Sequence, residues 1–518
     1  MHGIDIGWLD ASILGAYVAA LASIGWWAAR RTARTTEDYF LAGRSIPWLV
    51  TLASFTATCI SALTFVGTPS EGYASDYRYL LGNVGDILAT IFIATVFLPH
   101  FQKLRLTSIY EAVARRFGQS ARATCSAYFL ITRTLASTVR IVAIAKVLEV
   151  VSGGGLSYSW CVVLTVGGIL AYTTMGGGRA IAWTDLLQFC LLFGGASVAL
   201  VYIVWHVPGG VSAIVAAGRH AVGPGGATYD KFNFLELYKP SNLGLLALMT
   251  VWAFFNSSAA YGTDQDMVQR LLACNDTRKA RWSLMIYGLA SIPITFLFLS
   301  IGASLYAYAQ VHPQLVAGMH DPDHIFPRFI LLSMPHGLRG LLLAAVAAAA
   351  MGSADSALAS LATAFTIDFY QPYFCRGGGD DEAGRVKVSK AAFLVFGLIF
   401  LVLALLLRRL DRLLWLAFRV VAFTYGPLLG LFATAILTDW KVKARRILPV
   451  MFGSTALTFG LEMWSWHMTL AGAHGFWLQL HETYWRLYVV FGALVVPAAA
   501  YLMREPAGLP DRQAVAVS

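Results

Sequence analysis

The stretch that decides the fold is Ser54-Phe-Thr-Ala-Thr-Cys-Ile-Ser-Ala-Leu-Thr-Phe-Val-Gly-Thr-Pro69, a run of hydroxyl side chains inside an otherwise apolar segment. Gly67 and Pro69 end the run, and both residue types interrupt helices. Within a membrane, a helix can be interrupted where its freed backbone groups line a polar cavity. The run therefore predicts a broken helix beside such a cavity, although hydroxyls that bond back to their own helix carbonyls would give the same pattern.

The composition around this stretch is that of a membrane protein. Hydrophobic residues make up 58% of the chain, charged residues only 13%, and the mean hydropathy is +0.64. Apolar segments of about 20 residues, the length needed to cross a bilayer, follow one another almost without pause. Thirteen spans are predicted, near residues 8–29, 46–70, 79–101, 123–151, 157–175, 180–205, 242–261, 282–309, 338–369, 388–408, 411–437, 447–470 and 482–503.

The charges of the loops predict the orientation. Lys and Arg cluster in alternate loops, so by the positive-inside rule the N-terminus lies outside and the C-terminus in the cytoplasm, in an inner membrane. Arg408, Arg409 and Arg412 are an exception on the predicted outer face. The net charge of +10 lies in these short loops, which favours lipid headgroups over nucleic acid as its partner.

Enzymatic motifs are missing from the sequence. It contains no Walker-type loop, no HExxH and no GxSxG, which argues against an ATP-driven pump and against an enzyme. A carrier driven by an ion gradient is the class that remains.

Polar residues in two further spans are candidates for ion binding. In the ninth span, Ala349, Gly352, Ser353 and Ser356 share one helix face, with Asp355 beside them. Small residues on one face also favour tight helix packing, but packing does not explain a carboxylate there. The sixth span opens with Trp-Thr-Asp185, which would also suit a hydrated carboxylate at the membrane interface.

Several segments, read together, resemble the solute:sodium symporter family, which includes proline, galactose and sialic acid carriers. The matching motifs are Asp38-Tyr-Phe-Leu-Ala-Gly-Arg44, Thr107-Ser-Ile-Tyr-Glu111, Ala182-Trp-Thr-Asp185, Gly262-Thr-Asp-Gln265, Gly352 to Ser360, and Thr424-Tyr-Gly-Pro-Leu-Leu-Gly430. Their order and spacing cover nearly the whole chain.

The resemblance implies an all-α membrane protein with an inverted five-helix-repeat core, as in leucine-type transporters. Its parts would be an extra helix and first cytoplasmic loop (1–45), a first repeat (46–205), an outer loop (206–241), a second repeat (242–437), and two C-terminal helices with a short tail (438–518).

The resemblance also implies two sodium sites. The first takes backbone carbonyls of Ala57, Ile60 and Ala349 and the hydroxyl of Ser353. Gly352 stands where relatives supply a second hydroxyl, so Gly352→Ser should increase sodium affinity about fivefold, unless Gly352 serves close packing.

The second implied site takes four side chains, Asp185, Ser353, Asp355 and Ser356. A proton could replace sodium there, because two neighbouring carboxylates cannot both stay charged without a cation.

For the solute, the resemblance implies contacts from Ser61, Thr64, Asn83, Asp86 and Arg140. Arg140 matches an arginine that holds the substrate carboxylate in sialic acid carriers. A structural ion pair between Arg140 and Asp86 is the alternative.

The seventh span departs from the galactose carriers. Ala259 and Ala260 occupy the place of their sugar-stacking tyrosine, which favours an anionic or small polar solute over a sugar.

The sequence thus predicts a sodium-coupled symporter that imports a small polar, carboxylate-bearing solute by alternating access. The alternatives are a proton-coupled carrier and a non-transporting sensor. The expected partners are sodium, the solute and the bilayer, with no obligate protein partner evident.

Overall fold

The computed structural model describes residues 7–504, apart from 31–34, 61, 153–154, 224–225, 233–239, 320, 376–381, 410–412 and 471–482. Nearly all of this part is helical. The helices of its first half are α1 Trp8–Ala29, α2 Thr36–Leu41, α3 Trp48–Cys59, α4 Ala62–Ala74, α5 Gly82–Phe92, α6 Leu98–Leu104, α7 Tyr110–Phe117, α8 Gln119–Val151, α9 Tyr158–His206 and α10 Gly210–Arg219.

A short antiparallel hairpin, β1 Ala221–Val222 and β2 Thr228–Tyr229, follows α10. The remaining helices are α11 Pro240–Thr263, α12 Gln265–Leu272, α13 Thr277–Val311, α14 Ile325–Ser333, α15 Leu338–Ala364, α16 Gln371–Phe374, α17 Glu382–Leu406, α18 Leu413–Leu437, α19 Ala444–Leu470 and α20 Leu487–Met503.

Helices of the structure cover every predicted span, although the second span is divided between α3 and α4 and the fifth and sixth both lie on α9. Within the described ranges, eleven helices are long and apolar enough to cross a membrane, and α3 with α4 would form a twelfth as one bent span. The predicted span 157–175 is the shorter apolar helix Tyr158–Thr174. The predicted count of thirteen is therefore not confirmed.

The polar run quoted above forms the break between α3 and α4. Helix α3 ends at Cys59, Ile60 takes the non-helical angles φ −91° and ψ 78°, and the two helices are bent by 53°. The carbonyls of the last turn of a helix have no intrahelical donor, so the break leaves backbone oxygens available. Pro69 lies inside α4 and does not end it.

A second break divides α9 at Gly177, where φ is +55°. A β-carbon at Gly177 would overlap the backbone oxygen of Tyr39, so the close approach also requires glycine. The break separates the predicted fifth and sixth spans and places Asp185 two turns into the second segment.

Helix α15 lies inside the bundle. It packs against α1, α3, α4, α8, α9, α12 and α17, and it is rich in alanine and glycine. Small side chains allow helix backbones to approach closely in a membrane. The candidate ion residues of α15 therefore face several helices at once.

The described segment that contains α10 and the hairpin is anchored to the end of α4 through Lys231. The buried ammonium of Lys231 donates hydrogen bonds to the backbone oxygens of Gly72, Tyr73 and Ser75 at 3.2, 2.7 and 2.7 Å. These carbonyls belong to the last turn of the helix and the residue after it, where a cation is favoured.

Candidate functional site

Asp185 is fully buried between α9, α3 and α12, so it is not a hydrated interfacial carboxylate. Ser54 Oγ donates to Asp185 Oδ2 at 2.5 Å, and Arg270 Nη2 donates to the same oxygen at 3.1 Å. Within the described part of the chain, Asp185 Oδ1 has no hydrogen-bond partner. One oxygen is thus held by the protein and the other is free to accept a cation.

Asp355 has the same half-satisfied arrangement on α15. The Tyr172 hydroxyl donates to Asp355 Oδ2 at 2.6 Å, whereas Oδ1 has no partner among the described residues. A buried, unpartnered carboxylate oxygen is costly unless a cation or a proton compensates for it.

Gln188 adds a third oxygen that the sequence analysis did not include. It lies one turn after Asp185, is fully buried, and directs Nε2 toward the Tyr17 hydroxyl at 3.4 Å. Its amide oxygen Oε1 accepts no hydrogen bond from any described residue. We call Asp185 Oδ1, Gln188 Oε1 and Asp355 Oδ1 the oxygen cluster.

Gly352 provides the space for this cluster. A β-carbon there would overlap Gln188 Oε1 and lie 3.3 Å from Asp185 Oδ1. The Gln188 amide oxygen therefore occupies the space that a side chain at position 352 would take. A side chain at position 352 would displace the end of the flexible Gln188 side chain and not a helix backbone, and the gain from Gly352→Ser stays a prediction.

Ser356 departs from the predicted second site. Its hydroxyl is directed to Asp266 Oδ2 at 3.4 Å and to the backbone oxygen of Ser353 at 3.2 Å. Asp266 is bound in turn by Arg133 and, at 2.9 Å, by Arg270. Ser356 thus belongs to an ion-pair network beside the oxygen cluster, because α15 packs against α12 there.

Charge in this region is unbalanced. It contains four buried carboxylates and two guanidinium groups: Asp185, Asp264, Asp266 and Asp355, with Arg133 and Arg270. The neighbouring cavity adds Arg140 and Asp86, which cancel in this count. An excess of negative charge inside a membrane protein favours cation binding.

The residues of the first predicted sodium site lie on α3 and α15, which pack against each other. Ala57 and Ile60 are buried at the helix break, and the Ser353 hydroxyl lies 3.3 Å from the backbone oxygen of Ala349. Hydroxyl and carbonyl oxygens are the hard ligands that sodium requires. The structure thus brings the two helices together, as the predicted site requires.

A cavity of about 170 Å³ lies beside the same break and is lined by Cys59 and Ile60. Of the predicted solute contacts, Thr64, Asn83, Asp86 and Arg140 line it, whereas Ser61 lies outside the described residues. The wall also contains five aromatic side chains, Tyr79, Trp252, Tyr261, Tyr287 and Phe418. The cavity is therefore aromatic despite the alanines at 259 and 260.

Arg140 and Asp86 form no ion pair within 4 Å in the described structure, so the alternative of a structural pair is wrong. Ser257 Oγ donates to Asp86 Oδ1, and Arg140 Nε and Nη1 have no hydrogen-bond partner there. Asn83 is already engaged, because its amide group donates to Ser291 at 2.9 Å and Thr295 at 3.1 Å. Arg140 and Asp86 are the charged groups of the cavity that remain available to a solute.

A broken membrane helix, a buried excess of carboxylate oxygens and a polar cavity at the same break define an ion-coupled secondary active transporter. The model of the "Sodium:solute symporter family" matches residues 39–442. The chain belongs to this family, and it is a sodium-coupled symporter, not an enzyme.

Similar proteins include several sodium symporters. The chain is 29% identical to the sodium/sialic acid symporter SiaT of Proteus mirabilis over 435 residues, covering 83% of the chain and 85% of the relative. It is 29% identical to the human sodium-coupled monocarboxylate transporter 1, covering 83% and 68%. It is 28% identical to the sodium/glucose cotransporter of Vibrio parahaemolyticus, covering 76% and 74%.

Solved structures confirm the predicted fold. An outward-open, substrate-bound sodium-coupled sialic acid symporter matches with a TM-score of 0.81 and 25% identity, covering 96% of this chain and 98% of that one. A nucleobase-cation-symport-1 family transporter matches in fold alone, with a TM-score of 0.54 and 13% identity over 90% and 94%. The core is thus of the leucine-transporter type, while the boundaries drawn between its repeats stay a prediction.

Proposed function

We propose that this symporter imports a small polar, carboxylate-bearing solute across the inner membrane, with the N-terminus outside and the C-terminus in the cytoplasm. The observation that carries the proposal is the cavity at the α3–α4 break, which joins an unpaired Arg140 to the helix that holds the ion residues. A guanidinium presents a fork of donors that fits a carboxylate.

Two sodium positions support the coupling. The first is formed by the carbonyls of Ala57, Ile60 and Ala349 with the Ser353 hydroxyl. The second is the oxygen cluster of Asp185, Gln188 and Asp355, in which two carboxylates supply the charge and the Gln188 amide supplies a third oxygen in the space that Gly352 leaves open.

Alternating access follows from the break and the ion positions together. Sodium that binds only when α15 and the end of α3 are close stabilises that arrangement, and a ligand shifts a conformational equilibrium by its difference in affinity for the two states. The solute cavity lies against the same end of α3, so occupancy of one site biases the other.

Counterflow in proteoliposomes tests this proposal. Vesicles loaded with unlabelled sialic acid, lactate or glucose would receive the labelled solute in sodium chloride or in choline chloride. We expect uptake of a carboxylate-bearing solute that requires sodium and that Arg140→Gln abolishes. Uptake that is equal in choline and is driven by a pH gradient would instead establish the proton-coupled carrier, which the excess of buried carboxylates also permits.

A further inference from the structure

The solute cavity has two poles of opposite charge. The donor pole is Arg140 on α8, whose Nε and Nη1 atoms are buried and make no hydrogen bond to a described residue. The acceptor pole is Asp86 on α5, with Asn256 and Ser257 of α11 beside it. Asn256 is 8% exposed, and its side-chain oxygen accepts no hydrogen bond within the described part of the chain.

The two poles do not satisfy one another. No nitrogen of Arg140 lies within 4 Å of an Asp86 oxygen, although both side chains line one cavity. Charged groups inside a membrane protein that do not pair with each other mark a pathway or site for a ligand. The cavity therefore requires complementary charge at each end.

This requirement separates classes of solute. A solute with a carboxylate but no cationic group would satisfy Arg140. It would leave the Asp86 carboxylate in the same cavity without a counter-charge. An uncharged sugar would leave both ionic groups without a counter-charge. A solute with an anionic and a cationic end matches both poles, and unmatched charge is an effective means of rejecting the other two classes.

The size of the cavity limits the solute further. Its volume is about 170 Å³. At roughly 15 Å³ of such volume for each buried water, the cavity has space for about ten water molecules. An amino acid fits this space.

We infer that the solute is a small amino-acid-type zwitterion, whose carboxylate binds Arg140 and whose ammonium group binds Asp86 and the side-chain oxygen of Asn256. This inference rests on the proposed function, and it adds the cationic end to the carboxylate that the proposal already assigns.

The test compares matched probes in proteoliposomes of the full chain with an inward sodium gradient. The zwitterions are alanine, proline and 4-aminobutyrate, and the amine-free carboxylates are lactate and butyrate, with sialic acid as a larger amine-free acid. We expect at least one zwitterion to compete in sodium-dependent uptake about tenfold better than its amine-free counterpart.

Variants assign the poles. Asp86→Asn retains a side-chain oxygen that can accept the hydrogen bond from Ser257. It should reduce the preference for the zwitterion about tenfold and leave the binding of the amine-free acids unchanged. Arg140→Lys keeps the positive charge but loses the paired donors of the guanidinium group, so it should weaken the binding of both zwitterions and amine-free acids. Glu149→Gln removes a carboxylate that pairs with Arg408 outside the cavity, and it should change neither.

Sodium-dependent uptake of sialic acid or lactate with no advantage for any zwitterion, and with no effect of Asp86→Asn, would overturn the inference and leave the proposed function standing. The competition in the unmutated protein gives this result even where a variant fails to fold. Absence of sodium-dependent uptake for every probe would overturn both.

Discussion

Replacing Gly352 with alanine tests the oxygen cluster most directly. The new β-carbon would overlap Gln188 Oε1 and lie 3.3 Å from Asp185 Oδ1, so the Gln188 amide must turn away. Overpacking of this kind costs ~1–3 kcal/mol of stability whatever salt is present. Loss of one oxygen ligand should weaken sodium binding by about 1.4 kcal/mol, which corresponds to a tenfold decrease in sodium affinity. This second loss of stability should appear in sodium alone.

The assay is the thermal stability of the purified protein, titrated with sodium chloride at constant ionic strength against choline chloride. Stabilisation by a bound ion grows with the logarithm of its concentration above the dissociation constant, so the tenfold change appears as a displaced midpoint. Gly352→Ser supplies a hydroxyl in exchange for the amide and should bind sodium more tightly than Gly352→Ala. An unchanged sodium midpoint in Gly352→Ala would refute the role of Gln188.

Three further predictions concern the surrounding charges. Asp185→Asn should weaken the sodium dependence of uptake or change the ion-to-solute ratio while the protein still folds, whereas an unchanged sodium activation curve would show that Asp185 serves only Arg270 and Ser54. Asp266→Asn should destabilise the protein by ~3–5 kcal/mol, because it leaves Arg133 and Arg270 buried with one partner fewer, and chemical denaturation would measure the loss. Lys231→Met should cost at least ~2 kcal/mol and increase proteolysis between residues 206 and 241, since three bonds to the end of α4 disappear; an unaltered cleavage rate would contradict the anchoring role.

Hydropathy predicted the helices well because the bilayer imposes one length and one solvent on every span. The hydroxyl-rich run and the Gly-Pro ending also pointed to the broken span, although the helix breaks at Ile60 and continues through Pro69. Pro69 is the eighth residue of α4. Membrane helices tolerate an internal proline because neighbouring groups satisfy the freed backbone, so its position in the sequence did not fix the break.

The oxygen cluster could be predicted only in part. Asp185 and Asp355 were recognisable as carboxylates in apolar segments, and both are buried with one oxygen that has no partner among the described residues. Gln188 lies on the same helix face as Asp185, and that spacing was the available clue. Its role depends on the space beside Gly352, on a different helix, which no local pattern contains.

Arg270 was the other partner that sequence reasoning missed. It lies 85 residues after Asp185 and reaches it because α12 packs against α3 and α15. The pairing changes the chemistry of Asp185, since one oxygen is neutralised by the protein and only the other can serve an ion. Long-range ion pairs of this kind follow from tertiary packing and not from spacing along the chain.

Helix α3 lies beside both the candidate ion residues and the candidate solute cavity. Ser54 on this helix donates to Asp185, and Cys59 and Ile60, little more than one turn later, line the solute cavity. A shift of α3 that brings Ser54 closer to Asp185 must also move Cys59 at the cavity, because the residues between them form one continuous helix. Coupling between two binding sites is reciprocal. The factor by which sodium increases solute affinity must therefore equal the factor by which the solute increases sodium affinity, and we expect α3 to be the element that transmits both.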